Sequence, residues 1–281
     1  MAGAALFGRR CRVVVDTIEV VPLEVDPAKA LTVRFKIDKS LAATPNKSEI
    51  HVVNMNPEHR ALVEAVPQVP VLLEAGYEEG SSVLFLGKLR TARSVKDGGD
   101  WITSLSSGDG ELAYQKGRVS VPIKKGTPTD VGLREIVKAL GVAEGNLKDA
   151  VNKIKSNALG QMFAAGTVFH GQAAREMTSV CRSCGLTWSI QDGKLQFLGL
   201  REALAGEAIL LSASTGLVDS PTVDPKGVMK CRMLLAPDVF PGRLLVLQSL
   251  AVEGQYRIEK TTHTGDTAET DWFVDIEGRR Y

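Results

Sequence analysis

The stretch from Glu49 to Leu89 constrains the fold more than any other part of the chain. It opens with Glu49-Ile50-His51-Val52-Val53 and continues through Asn54-Met55-Asn56-Pro57-Glu58-His59-Arg60. Two apolar runs follow, Val71-Leu72-Leu73-Glu74-Ala75-Gly76-Tyr77 and Val83-Leu84-Phe85-Leu86-Gly87-Lys88-Leu89. The pattern predicts strand, short helix over about Asn56–Ala65, strand, turn, strand. Asn56 can cap the helix through its side-chain oxygen. Pro57 then takes the first helical position, where its missing N–H costs nothing. The Gly/Glu/Ser turn between the apolar runs is what a hairpin needs.

The rest of the first 115 residues repeats the β theme. Leu31 to Asp38 alternates apolar and polar without a break, which predicts a strand with one buried face. Arg12 to Val20 predicts an earlier strand, with Pro22 and Pro27 marking the connection. Trp101 to Ser106 predicts another, after the turn Asp97-Gly98-Gly99-Asp100. A composition shift follows. Gly126-Thr127-Pro128-Thr129-Asp130 is a helix entry, Val131 to Leu140 is helical by spacing, and Gly141 is the stop. Leu147 to Ile154 and Gly171 to Cys184 read as further helices, the latter with Ala174, Met177, Val180 and Cys181 on one side. Leu186–Ile190 and Leu195–Leu198 flank Asp192-Gly193, a strong hairpin signal. The last 75 residues return to strands at Met229–Met233, Leu244–Leu247, Gln255–Glu259 and Trp272–Glu277, with a turn expected at Thr264-Gly265-Asp266-Thr267. The expected class is therefore mainly β with an α/β insert. A first small β-barrel-like domain spans 1–115, an α/β middle domain 116–205 and a second barrel-like domain 206–281. Val71–Ala75 with Val83–Gly87, and Leu244–Gln248 with Tyr256–Lys260, are similar strand–turn–strand units, as a divergent duplication would leave.

Composition narrows the function classes. With 34 basic and 33 acidic residues the formal net charge is +1, which gives no bulk electrostatic argument for nucleic acid or membrane. Glycine is frequent, at 27 residues, as many short strands with tight turns require. No apolar stretch reaches bilayer-crossing length. The start, Met1 to Arg10, is apolar then basic, the reverse of a secretion signal, so a cytosolic product later built into something larger is expected.

The residues that could carry chemistry lack its spacing. Cys181-Arg182-Ser183-Cys184 is a single CxxC, and Cys11 and Cys231 lack the paired spacing of a second half-site for zinc. It ends an amphipathic helix rather than opening one as a thioredoxin-type motif does. Buried, reduced thiols without metal are the expectation. His51, His59, His170 and His263 form no metal-binding spacing. His51 falls on the polar side of a strand, and His170 sits at an expected helix start. Glu78-Glu79 could suggest a glycosidase pair, but adjacent acids at a hairpin tip fit a solvated turn better. Ser106-Ser107-Gly108-Asp109-Gly110 lacks the GxSxG elbow. Lys124-Lys125-Gly126-Thr127 lacks the upstream glycine of a phosphate loop, since position 120 is serine. Arg9-Arg10 with Arg12, and Lys153 with Lys155, are too short for nucleic-acid sites. The three tryptophans, Trp101, Trp188 and Trp272, are scattered on strands, which argues against a carbohydrate-stacking module.

Taken together, several of these segments resemble the baseplate hub proteins of tailed bacteriophages, a family shared with related contractile injection particles. The strand–helix–hairpin with its Ala75-Gly76-Tyr77 and Leu84-Phe85-Leu86-Gly87 core resembles the hub's first domain. Trp101 to Glu111 resembles that domain's closing strand and exit. Gly126-Thr127-Pro128, and His170-Gly171 through Lys194-Leu195, resemble its middle domain. Gly216 to Thr222, Leu234 to Pro237, Pro241-Gly242-Arg243, Gly254 to Arg257 and His263 to Thr267 with Trp272 resemble its last domain. The resemblance spans nearly the whole chain and rests on order and spacing. It implies a structural subunit without catalysis or cofactor. Three copies would form a ring whose two tail-tube-like barrels per copy present near-sixfold symmetry, joining a sixfold tail tube to a threefold central spike. Implied partners are the tail tube protein, the central spike protein and other baseplate subunits, with DNA only as cargo and no membrane insertion. The implied location is the virion tail baseplate, after synthesis in the host cytoplasm. The rival reading is a tail-associated cell-wall hydrolase. It would need paired acids or metal ligands, which the middle region lacks.

Overall fold

The computed structural model describes residues 8–23, 30–156 and 160–281. Most of the apolar start and Pro27 lie outside them. The protein is mostly β, with few helices and a large antiparallel sheet. Two compact units separate. One gathers the chain up to Lys39, Asn46–Gly108 and Ala205–Tyr281; the other holds Ser40–Pro45 and Asp109–Leu204.

The first unit contains β1 (Arg9–Val15), β2 (Ile18–Val21), β3 (Val33–Ser40), β4 (Asn46–Val53), α1 (Pro57–Ala65), β5 (Pro70–Tyr77), β6 (Gly80–Asp97) and β7 (Asp100–Asp109). Alternation builds β3 as expected: Val33, Phe35, Ile37 and Lys39 turn inward, and Arg34 and Lys36 outward. Asn56 caps α1, its Oδ1 accepting from the Glu58 N–H at 2.8 Å, with Pro57 opening the helix. The apolar runs form the β5–β6 hairpin. The single strand expected over Arg12–Val20 is in fact two. Asp16 adopts φ +57 and turns the chain between β1 and β2, which pair antiparallel.

The C-terminal part of this unit contributes β12 (Ile209–Ser212), β13 (Thr222–Val223), β14 (Val228–Leu234), β15 (Leu244–Gln248), β16 (Glu253–Asp266) and β17 (Trp272–Arg280). β16 is far longer than the sequence suggests. The expected turn at Thr264–Thr267 is a continuation of the strand through Asp266. The reason is β3, which lies alongside it. Thr267 N–H donates to the Val33 carbonyl at 3.0 Å, and Thr262 Oγ1 meets Asp38 Oδ1 at 2.6 Å. Gly265 stands opposite Phe35, whose ring occupies the space a Cβ would need. Both ends of the chain thus share one 13-stranded sheet, with β13-β14-β17-β16-β3-β4-β7-β6-β5-β1-β2 as its main path, and no closed barrel forms among the described residues. The apolar side chains nevertheless segregate into two cores. One gathers Val13, Phe35, Ile50, Leu73, Phe85 and Leu105, joined by Leu235 and Trp272; the other gathers Leu211, Met229, Leu245, Tyr256, Ile258, Val274 and Ile276.

The second unit has its own core, around Leu133, Ile136, Met177, Trp188 and Phe197. Its elements are α2 (Glu111–Lys116), β8 (Arg118–Ile123), α3 (Thr129–Leu140), α4 (Leu147–Ser156), β9 (Thr167–Gln172), α5 (Ala173–Ser183), β10 (Leu186–Gln191) and β11 (Lys194–Gly199). α3 ends at Gly141 in the left-handed conformation, φ +64, as its glycine stop predicts. Asp192 and Gly193 both have positive φ, +50 and +77, and join β10 to β11. Two differences from the sequence reading stand out. β8 and β9 pair antiparallel as a two-stranded sheet across the intervening α3 and α4, and Gly171 lies near the end of β9 instead of opening a helix. α5 therefore begins at Ala173. Asn146 acts as a substitute strand edge for β11: its amide donates to the Phe197 carbonyl at 2.8 Å and accepts the Phe197 N–H at 2.7 Å.

Gly110 gives a test of this unit. Its φ is +72, and an added Cβ would lie 2.7 Å from Ile190 Cδ1. Both the conformation and the space demand glycine. Gly110→Ala is expected to cost about 1–3 kcal/mol, read as a lowered urea midpoint at unchanged slope.

Candidate assembly surfaces

The candidate residues of the sequence are spread over several strands and helices. All four cysteines are free and buried. Burial pushes the Cys11 and Cys231 thiols up to about 12, and raises Cys181 and Cys184 as well. A thiol so placed has almost no thiolate at neutral pH and is a poor nucleophile and ligand. The expected result is that a maleimide reagent labels none of the four in the folded chain within minutes at pH 7.5, and all four after denaturation. Rapid labelling of the folded chain would contradict the burial. No group of three or more His, Cys, Asp or Glu side chains is arranged to hold a metal among the described residues.

The other candidates are equally separate. His51 lies on β4 with its Nδ1 2.8 Å from Ser104 Oγ. His170 is exposed on β9 rather than at a helix start, and His263 is buried on β16. Glu78 and Glu79 form the exposed turn between β5 and β6, with Glu78 3.4 Å from Arg10. Lys124 to Thr127 makes a turn, closed by the Thr127 N–H on the Lys124 carbonyl at 3.1 Å. Trp188 is buried, donating its indole N–H to Thr178 Oγ1 at 3.0 Å and stacking on Tyr114; Trp272 is buried as well. Trp101 is partly exposed beneath the Arg60 guanidinium, which sits 4.1 Å from the ring centroid.

The outward face of the sheet runs without a break across strands from both ends of the chain. Alternation puts Arg232 of β14, Asp275 of β17, Thr262 of β16, Lys36 of β3, Glu49 of β4 and Ser104 of β7 on this face. Its charges are of both signs and partly paired, Arg232 with Asp275 at 2.7 Å and Lys260 with Glu277 at 3.8 Å. Such exposed pairs contribute little stability; they make the face polar without a strong net sign. The main sheet path ends at β2 on one side and β13 on the other, while among the described residues β12 pairs only with β15, leaving its other edge open. An unpaired edge offers backbone groups for pairing with another chain, and edges as short as these offer few of them. Exposed apolar side chains are spread over the first unit, among them Leu62, Val95, Leu210, Val218 and Leu250. On the outward face, Val53, Val95 and Ile102 floor a shallow groove of about 550 Å3. Sequence reasoning missed the groove, because it depends on the register of three strands.

The fold as a whole is similar to those of solved phage tail proteins. The chain is similar over 97% of its length to 98% of the 43 kDa tail protein of prophage MuSo2 from Shewanella oneidensis, with 11% identity and a TM-score of 0.66. It is similar over 98% of its length to 97% of a tail protein from Neisseria meningitidis, with 10% identity and a TM-score of 0.65. A third similar structure is an Escherichia coli component of the type VI secretion system, itself described as structurally similar to the T4 tail proteins gp27 and gp5. There 96% of this chain matches 76% of that one, with 9% identity and a TM-score of 0.58. No protein-family model matches the chain, and no curated protein matches its sequence. Among the described residues, no helix is long and apolar enough to cross a membrane.

Proposed function

We propose that this chain is a structural baseplate hub subunit of a phage tail or related contractile particle, and that it catalyses nothing. The observation that carries this reading is the end-to-end likeness to a prophage tail protein at a TM-score of 0.66, with neither chain leaving a sizeable segment unmatched. In the proposed assembly three copies make a ring. The two β lobes of each copy, each with its own core, act as similar barrel-like modules, giving near-sixfold symmetry toward the tail tube and threefold symmetry toward a central spike. The polar, mixed-charge part of the sheet face outside the Val53–Ile102–Val95 groove suits a wall past which DNA moves as cargo, since a strongly basic wall would hold the phosphates. Other baseplate subunits would meet the remaining edges. The particle tail is the proposed location.

The test is a mass measurement of the chain purified with its tube and spike neighbours. Three copies per assembly are expected, with no release of peptidoglycan fragments by the purified chain. Six copies of this chain in one ring, or cleavage of peptidoglycan, would overturn the proposal; the second result would favour a tail-associated cell-wall hydrolase.

A further inference from the structure

We infer that the β15–β16 hairpin tip of one copy seats in the Val53–Ile102–Val95 groove of a second copy. The inference rests on the hub reading only in taking the partner to be the same chain. The tip is the loop Ser249-Leu250-Ala251-Val252, set between the strand pair Gln248 and Glu253. Leu250 is wholly exposed. The loop that carries it is tied: Ser249 Oγ donates to the Val252 carbonyl at 2.8 Å and accepts the Val252 N–H at 3.0 Å. Val252 packs against the second β core. An apolar knob on a braced turn loses little further freedom on binding, which is what favours it as an anchor.

The groove lies on the outward face where β4, β7 and β6 adjoin. Val53, Ile102 and Val95 form an apolar floor, and Arg34, Lys96 and Asp97 stand around it. Its volume of about 550 Å3 leaves room for a leucine and its loop. Val95 and Ile102 are directly opposite one another across the β6–β7 pair, so their side chains share the floor. Lys96 has no ion-pair partner among the described residues, whereas Glu253 flanks the tip and is exposed. Apolar knob with carboxylate thus meets apolar floor with the Lys96 ammonium, which shares the rim with Asp97. Leu250 is fully exposed in its own chain, so it does not fill its own groove. Knob and groove are different surfaces, so the contact is head-to-tail and repeats from copy to copy until a ring closes.

The experiment uses the full chain carrying Leu250→Cys together with Val95→Cys. The four native thiols are buried, so a short bis-maleimide reads only the new pair. Covalent dimers and trimers are expected from the double variant and none from either single variant. Leu250→Asp is expected to weaken association at least tenfold in sedimentation. Lys96→Glu is expected to weaken it too, and adding Glu253→Lys to restore it. Cross-linking by Leu250→Cys alone would mean a tip-to-tip contact and overturn the inference. An oligomer that forms without the heterologous cross-link would overturn it while leaving the hub reading in place. A chain that stays monomeric up to millimolar concentration would overturn it as well, and the hub reading would still be decided by the copy number in the particle.

Discussion

Trp272→Ala is expected to cost about 3–5 kcal/mol, the range for emptying a buried tryptophan site, and to lower the urea midpoint of the whole β unit. Trp272 opens β17, yet its ring lies in the core built mainly by the N-terminal strands. It meets Phe35 of β3 edge to face, with centroids 5.4 Å apart. The Arg9 guanidinium of β1 sits 5.5 Å from the indole centroid. The same guanidinium donates to the carbonyls of Asp266, Glu269 and Thr270, the residues that lead into β17. Leu235 belongs to the same core, and its N–H donates to the Trp272 carbonyl at 3.0 Å. Removing the indole therefore leaves a cavity walled by both ends of the chain. Phe273, one residue on and facing outward, is the control, and its replacement by alanine is expected to cost far less. If Trp272→Ala cost under about 1 kcal/mol, well below the range for a packed aromatic, the two ends would be stable independently.

This position also shows where local sequence reading stops. The alternation in β3, the Asn56 cap, the Gly141 stop and the Asp192-Gly193 turn are visible because each depends on residues within one or two turns of chain. The β3–β16 pairing depends on residues more than 220 positions apart, as Arg34 and Asp266 are, 2.8 Å from one another in the fold. Nothing near Gly265 distinguishes a turn glycine from one that makes room for Phe35, so Thr264–Thr267 reads as a turn. Gly171-Gln172 misleads in the same way: its partner, the β8 edge at Arg118 and Val119, is distant in sequence. The β1–β2 break at Asp16 was hidden inside a valine-rich run. The candidate surface was legible only as an absence of catalytic spacing. Leu250 and the groove floor are ordinary apolar residues until the register places them.

Stability is expected to fall as the pH drops from 6.5 toward 4.5, and His263 is the residue responsible. Its imidazole is fully enclosed on β16. Burial, reinforced by the charge of the nearby Lys39 on β3, holds its pKa at about 3, and the neighbouring backbone at Val239 and Ala236 opposes this only in part. In the unfolded chain the ring returns to about 6.5. The folded pKa is thus the lower of the two. Below pH 6.5 the unfolded state takes up a proton that the folded state refuses, so the stability present above pH 6.5 is lost progressively until pH 3. One proton corresponds to about 1.4 kcal/mol per pH unit once the unfolded ring is fully protonated, or about 2 kcal/mol between pH 6.5 and 4.5. That interval precedes the carboxylates. Asp266 titrates below its ordinary range, because the Ala268 and Glu269 N–H groups and Arg34 outweigh its partial burial, and it adds its own loss only at lower pH. His263→Leu removes the titrating group while keeping an apolar side chain between β3 and β17. Its urea midpoint is expected to stay nearly level from pH 6.5 to 4.5, while that of the parent chain falls. If both chains fall in parallel, His263 takes up its proton in the folded state and the ring is not sealed from water.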